Sequence, residues 1–259
     1  MVASFSCRRI SRLGLLAVLA CSSAAAESPG NGPPPPSGRG AENLFAYREA
    51  ARTEVLAAEV RLFDIGTSLA TPLAGEAIGI RADWAQVPED TTDHQFRGGA
   101  VIANNRLAVV LRRGGPGAEV YSLGAYPAAL RAVLSPADSP PGTALVALAT
   151  AKNGPGEVII EATFQSPGGK TSGLRYALEM GQVFVRTEPS GSLPTAALAV
   201  EAPCRFVVLP DFFADDIVVD AARMPLDTAD LPSENFLLLL LPGGDAIVMS
   251  VTTSRDEDA

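Results

Sequence analysis

Histidine occurs once, at His94, in a chain of 259 residues. That scarcity excludes histidine-rich metal centres, and it leaves His94 as the one imidazole that a Ser-His-Asp or Cys-His arrangement could use. Cysteine is nearly as scarce: of three, Cys7 and Cys21 lie near the start and Cys204 alone lies in the body of the chain. Residues 27–259 therefore have no internal disulfide framework. Cys204 follows Pro203 beside an apolar run and reads as a packed core thiol. Basic residues are outnumbered 20 to 29, for a formal net charge of −9. That sign repels phosphate backbones, so nucleic acid is not an expected partner. No apolar run approaches the roughly 20 residues that a membrane-spanning helix needs.

The first 26 residues have the three parts of a secretory leader. Arg8, Arg9 and Arg12 form a positive opening, and Leu13 to Ala20 is a short apolar stretch. Two exits are open. Ala24-Ala25-Ala26 suits ordinary cleavage by signal peptidase, whereas Val18-Leu19-Ala20-Cys21 resembles a bacterial lipobox in which Cys21 would take the lipid. The Arg8-Arg9 pair resembles a twin-arginine signal, although Ile10-Ser11-Arg12 departs from its usual continuation. Loss of residues 1–26 removes three arginines and no acidic residue, leaving a charge of −12. The expected location is the periplasm or cell envelope, with membrane contact only through a lipid anchor.

Residues 27–40 read ESPGNGPPPPSGRG, a Pro/Gly-rich linker that favours extended backbone. Residues 41–66 change character. Leu44, Phe45, Ala51, Val55, Leu56, Val60 and Phe63 recur at three- and four-residue spacing between charged residues, which predicts an amphipathic helix. From residue 67 onward the expectation is one β-sandwich domain ending at 259. Period-two stretches are expected over 77–82, 99–103, 107–112, 118–123, 130–134, 144–149, 157–165, 174–179, 183–188, 197–201, 206–209, 217–220, 236–241 and 246–251. Turn chemistry separates many of them, as at Asn104-Asn105, Gly114-Gly115-Pro116-Gly117, Asn153-Gly154-Pro155-Gly156 and Pro242-Gly243-Gly244-Asp245. The six apolar residues 236–241 read as a strand buried on both faces. The fold class is thus mainly β: an antiparallel β-sandwich preceded by one amphipathic N-terminal helix.

Strings that resemble catalytic motifs fail on their own spacing. Pro167-Gly168-Gly169-Lys170-Thr171 ends like a phosphate-binding loop, but that motif's first glycine falls on Phe164. His94 has Glu89, Asp90 and Asp93 near it in sequence and reads as a solvated loop residue. No catalytic residue is assigned. One segment does gather chemistry: Asp211, Phe212, Phe213, Asp215 and Asp216 lie between two β runs, with Asp220 beyond. Clustered oxygen ligands are what Ca²⁺ requires, paired carboxylates serve acid–base work on sugars, and phenyl rings stack on sugar faces. The plainer alternative is solvated aspartates around a phenylalanine plugged into the core. Apart from that Ca²⁺ alternative, no cofactor is expected.

Residues 99–112, GAVIANNRLAVVLR, are similar to the opening hairpin of galactose-mutarotase-like supersandwich domains. Residues 210–247, with Asp211-Phe212-Phe213-Ala214-Asp215-Asp216 and Pro232-Ser233-Glu234-Asn235-Phe236, resemble a family of uncharacterised exported bacterial proteins. The resemblance implies a supersandwich-like fold and an association with carbohydrate. Mutarotases use several histidines, so their catalytic set does not transfer to a chain with His94 alone. The expectation is an exported cell-envelope β-sandwich module that binds carbohydrate or a protein partner. The alternatives are a carbohydrate-active enzyme, or the N-terminal domain of one, and a structural spacer.

Overall fold

In the computed structural model the described residues are 4–7, 14–19, 58–124, 127–137, 139–190, 198–209, 217–223 and 236–252. They form two sheets in which all paired strands are antiparallel. The first contains β1 (Ser4–Cys7), β3 (Arg61–Asp64), β4 (Ala85–Gln86), β5 (Gly99–Ala103), β6 (Leu107–Arg112), β7 (Ala118–Ser122), β8 (Ala129–Pro136) and β13 (Leu198–Pro203), in the order β1-β13-β8-β7-β6-β5-β3-β4. The second contains β2 (Gly14–Leu19), β9 (Ala144–Asn153), β10 (Glu157–Gln165), β11 (Thr171–Glu179), β12 (Phe184–Pro189), β14 (Phe206–Leu209), β15 (Ile217–Asp220), β16 (Phe236–Leu240) and β17 (Ile247–Thr252). Its order is β15-β14-β16-β17-β2-β12-β11-β10-β9. The expected mainly β, antiparallel sandwich is therefore the fold.

Alternation explains how the sheets face each other. Along β10, Val158, Ile160, Ala162 and Phe164 are buried while the residues between them are half-exposed. They join Leu107, Val109 and Leu111 of β6 in a core between the sheets. Burying each large side chain there contributes about 1.5–3 kcal/mol. Tyr176 adds an inter-sheet tie, its hydroxyl donating to Leu134 O at 2.9 Å.

β5, β6 and β7 are buried on both faces. The outer face of this sheet is covered by residues 65–84, which include a short helix, α1 (Gly75–Ile80). Ile78 of α1 packs with Val101, Ala103, Ala108, Val110 and Tyr121 in a second core. Gly75 must be glycine there, because a Cβ would lie 1.9 Å from Ala128 O.

Several expectations are corrected. Residues 77–82 are not a strand: 77–80 belong to α1. Ile78 and Ile80 mimic period two over a window too short to separate it from a helical turn. The helix expected over 41–66 does not reach its expected end, because Arg61–Asp64 is β3, paired with β4 and β5. Residues 41–57 lie outside the described residues. β16 alternates instead of being buried on both faces: Leu237 and Leu239 are inside, and Phe236, Leu238 and Leu240 are half-buried. Apart from these corrections, Ser4–Cys7 and Gly14–Leu19, within the stretch expected to be a leader, pair as strands, and β2 lies in the middle of the second sheet.

β9 is an edge strand. Leu145 exchanges hydrogen bonds with Gly114 and Gly115 near one end, and Asn153 accepts from Asp90 N at the other. Its pairing with β10 skips a residue twice, at Val146 and at Ala151.

Candidate functional site

The residues singled out at 211–216, Asp211, Phe212, Phe213, Asp215 and Asp216, lie outside the described residues, as does Cys21. Their surroundings are partly defined. β14 and β15 pair in register from Leu209↔Ile217 to Phe206↔Asp220, so the segment joins two antiparallel strands at one edge of the second sheet. The Asp220 carboxylate accepts the Ala222 N–H at 2.9 Å, which caps the short 3₁₀ turn Ala221–Arg223. Among the described residues, no group of three or more His, Cys, Asp or Glu side chains could hold a metal ion. No helix among them is long and apolar enough to cross a membrane.

His94 is not simply a solvated loop residue. Its Nε2 lies 2.9 Å from Asp64 Oδ2, at the end of β3. The ring also meets Phe96 edge-on, with centroids 4.9 Å apart. Asp64 is 3% exposed. Its Oδ1 accepts the Gly66 N–H at 2.9 Å and its Oδ2 the Arg97 N–H at 3.0 Å. Burial pushes the Asp64 carboxyl pKa up, but hydrogen bonds from Gly66, His94, Arg97 and Gly98 together hold it below its ordinary value. Gly66 turns the chain at φ +70°, and at Gly98 a Cβ would lie 1.8 Å from Thr67 O. An ionised aspartate oriented onto an imidazole is the supporting half of a nucleophilic triad. Among the described residues no serine, threonine or cysteine side chain hydrogen-bonds His94. The geometry instead fastens the 94–98 loop to the end of β3.

Cys204 is buried, and its thiol donates to Phe206 O at 3.0 Å. Burial pushes its pKa up to about 11, despite opposing hydrogen bonds, which disfavours the nucleophilic thiolate. It is a packed thiol, as expected.

Two charged arrangements were not anticipated from the sequence. In the second core, Arg112 and Glu119 form an ion pair, with side chains 4% and 1% exposed. Arg112 Nε donates to Glu119 Oε1 at 2.6 Å and Nη1 to Leu69 O at 2.9 Å. The Tyr121 hydroxyl lies 2.9 Å from Leu73 O and 3.2 Å from Glu119 Oε2. This network ties the covering segment to the sheet. Its signal was present in the sequence: an arginine and a glutamate flank a Gly-Gly-Pro-Gly turn between two apolar strands.

The other arrangement lies on the outer face of the second sheet. Glu157 bridges Lys152 at 2.7 Å and Arg186 at 2.6 Å, and Arg186 also approaches Glu188 and Glu179. Arg175 pairs with Glu161 on the same face. Such exposed pairs each contribute about 0–1 kcal/mol, so they add little to stability. Lys152, Glu157, Glu179 and Arg186, together with Gly154-Pro155-Gly156, line an open depression of about 580 Å³. By contrast, Phe96, Tyr121, Phe164 and Tyr176 are buried, and Trp84 packs on Phe63.

No family model, curated protein or solved structure matches the chain.

Proposed function

We propose that the protein is an exported cell-envelope β-sandwich module that binds a partner protein through the outer face of β9–β12. The observation that carries this reading is the open depression lined by Lys152, Glu157, Glu179 and Arg186, where both charge signs meet solvent. Polar, two-signed faces specify orientation and partner more than they stabilise a fold. Carbohydrate is the second ligand class, supported by the Phe212-Phe213 pair and by the resemblance of residues 99–112 to a sugar-associated fold. Asp211, Asp215 and Asp216 are the residues through which Ca²⁺ would act, and Cys21 is the residue that would carry a lipid.

Export and binding are tested separately. A reporter fused behind residues 1–30 should leave the cytoplasm, and Cys21→Ala separates lipid modification from cleavage after Ala26. For binding, a photo-crosslinking residue is placed at Pro155 in the exported full chain, with one at Glu76 of α1, exposed on the covering segment of the other sheet, as control. A discrete protein adduct from position 155, lost on Arg186→Glu, is expected. Absence of any adduct, together with capture of a defined oligosaccharide on a glycan array, would replace the protein-binding reading with the carbohydrate one.

A further inference from the structure

β2 occupies an unusual place for a segment with the composition of an export leader. Gly14–Leu19 lies between β17 and β12, with six register pairs to the first and four to the second. Removing it would not trim an edge. It would divide the nine-stranded sheet into β15-β14-β16-β17 and β12-β11-β10-β9. The two new edges would face one another across about 9–10 Å, twice the spacing of neighbouring strands. Val185 and Val248, which flank this position, are fully buried in the core between the sheets. Unpaired backbone groups beside such a core cost free energy unless a partner or water satisfies them.

We propose that the processed protein carries a strand-shaped slot between β12 and β17 that receives an extended, uncharged segment of a partner protein. Gly14–Leu19 holds that slot only in the precursor. This inference rests on the reading of residues 1–26 as a removable leader.

The occupant of the slot in the structure specifies the chemistry of the replacement. The entering strand runs antiparallel to both neighbours and needs about six residues without charge or proline, because both of its edges enter ladders. Positions equivalent to Leu16 and Val18 share the register of Val185 and Val248 and are apolar. The position equivalent to Ala17 is small, because Phe184 and Met249 flank it. Main-chain hydrogen bonds would supply affinity and alternate side chains specificity, as in other additions of a strand to a sheet.

The test starts from the full chain exported in cells, with the N-terminus of the purified product read by mass spectrometry. The probe is a synthetic peptide of residues 12–21 with Cys21→Ser, and the control peptide carries Ala17→Pro. Expected results are a product beginning at residue 21 or 27, saturable binding of the first peptide, and amide exchange in β12 and β17 slowed about tenfold or more. The proline peptide should do none of this. If the processed chain is insoluble alone, recovery on refolding with the first peptide, and not with the second, supports the slot. A product that retains residues 14–19 overturns both the leader reading and the slot. A correctly processed product that neither binds the first peptide nor is recovered by it overturns the slot while the leader reading stands.

Discussion

Asn104 joins the two sheets through Gln182: its Nδ2 donates to Gln182 O at 2.8 Å and also to Glu179 O at 2.9 Å. Its Oδ1 meanwhile accepts the N–H groups of Arg106 and Leu107. One amide thus closes the β5–β6 hairpin of the first sheet and holds the β11–β12 turn of the second. At 4% exposure, little water is available to replace any bond it loses. Asn104→Ala is expected to cost about 2–4 kcal/mol, from several hydrogen bonds at once. Asn105→Ala, on an exposed neighbour, should stay within about 0.5 kcal/mol. Urea midpoints at unchanged m-value measure the difference, and equal midpoints would show that the amide does not hold the sheets.

Asp64 makes the fold acid-sensitive. Its pKa is lowered on folding, so its contribution is fully present above the unfolded value near 3.8 and is lost as pH falls through the folded one. Asp64→Asn cannot titrate and should flatten the acid limb of the stability profile, while lowering stability at neutral pH. Denaturant midpoints taken between about pH 2 and 7 test this. Parallel acid limbs in wild type and variant would remove Asp64 as the cause.

The Arg112–Glu119 pair predicts non-additivity. Arg112→Met leaves Glu119 buried without its counter-charge and should cost about 3–5 kcal/mol. The double substitution Arg112→Met with Glu119→Leu removes both charges and should be less damaging than that single one. Tyr121 retains Leu73 O as an acceptor in both. A double variant whose loss equals the sum of the singles would show that the pair is not coupled.

The Ca²⁺ reading of Asp211, Asp215 and Asp216 predicts higher melting in millimolar Ca²⁺ than in chelator. The gain would be about 2.7 kcal/mol at one hundred times the dissociation constant. Asp215→Asn with Asp216→Asn should erase it, and Mg²⁺ should do less, because its octahedral geometry is less forgiving. Identical melting with and without Ca²⁺ returns these aspartates to solvent.

Fold class was readable because hairpins carry their information locally. β10 alternates cleanly, and Asn104-Asn105 marks a turn whose flanking strands, 99–103 and 107–112, match the sequence expectation. Elements that depend on distant contact were not readable. Residues 59–64 continue the spacing of an amphipathic helix, yet β3 forms because β5 and β4 offer it two ladders. The Asp64–His94 contact joins residues 30 apart, and periodicity says nothing about such a pair. The charges on the outer face of β9–β12 read in sequence as scattered polar positions along separate strands. Only the register brings Lys152, Glu157 and Arg186 together.

The two skipped residues in β9 bear on behaviour at high concentration. Ala144–Asn153 is ten residues long, rich in alanine and aliphatic side chains, with Lys152 its one charge. A regular edge of that composition would template the stacking of identical strands into a fibril. The irregularities at Val146 and Ala151 break the even spacing of outward-facing donors and acceptors that a second molecule would have to match. Straightening the strand by deleting both Val146 and Ala151 would create a seed for self-association, even though it removes only two residues from the surface.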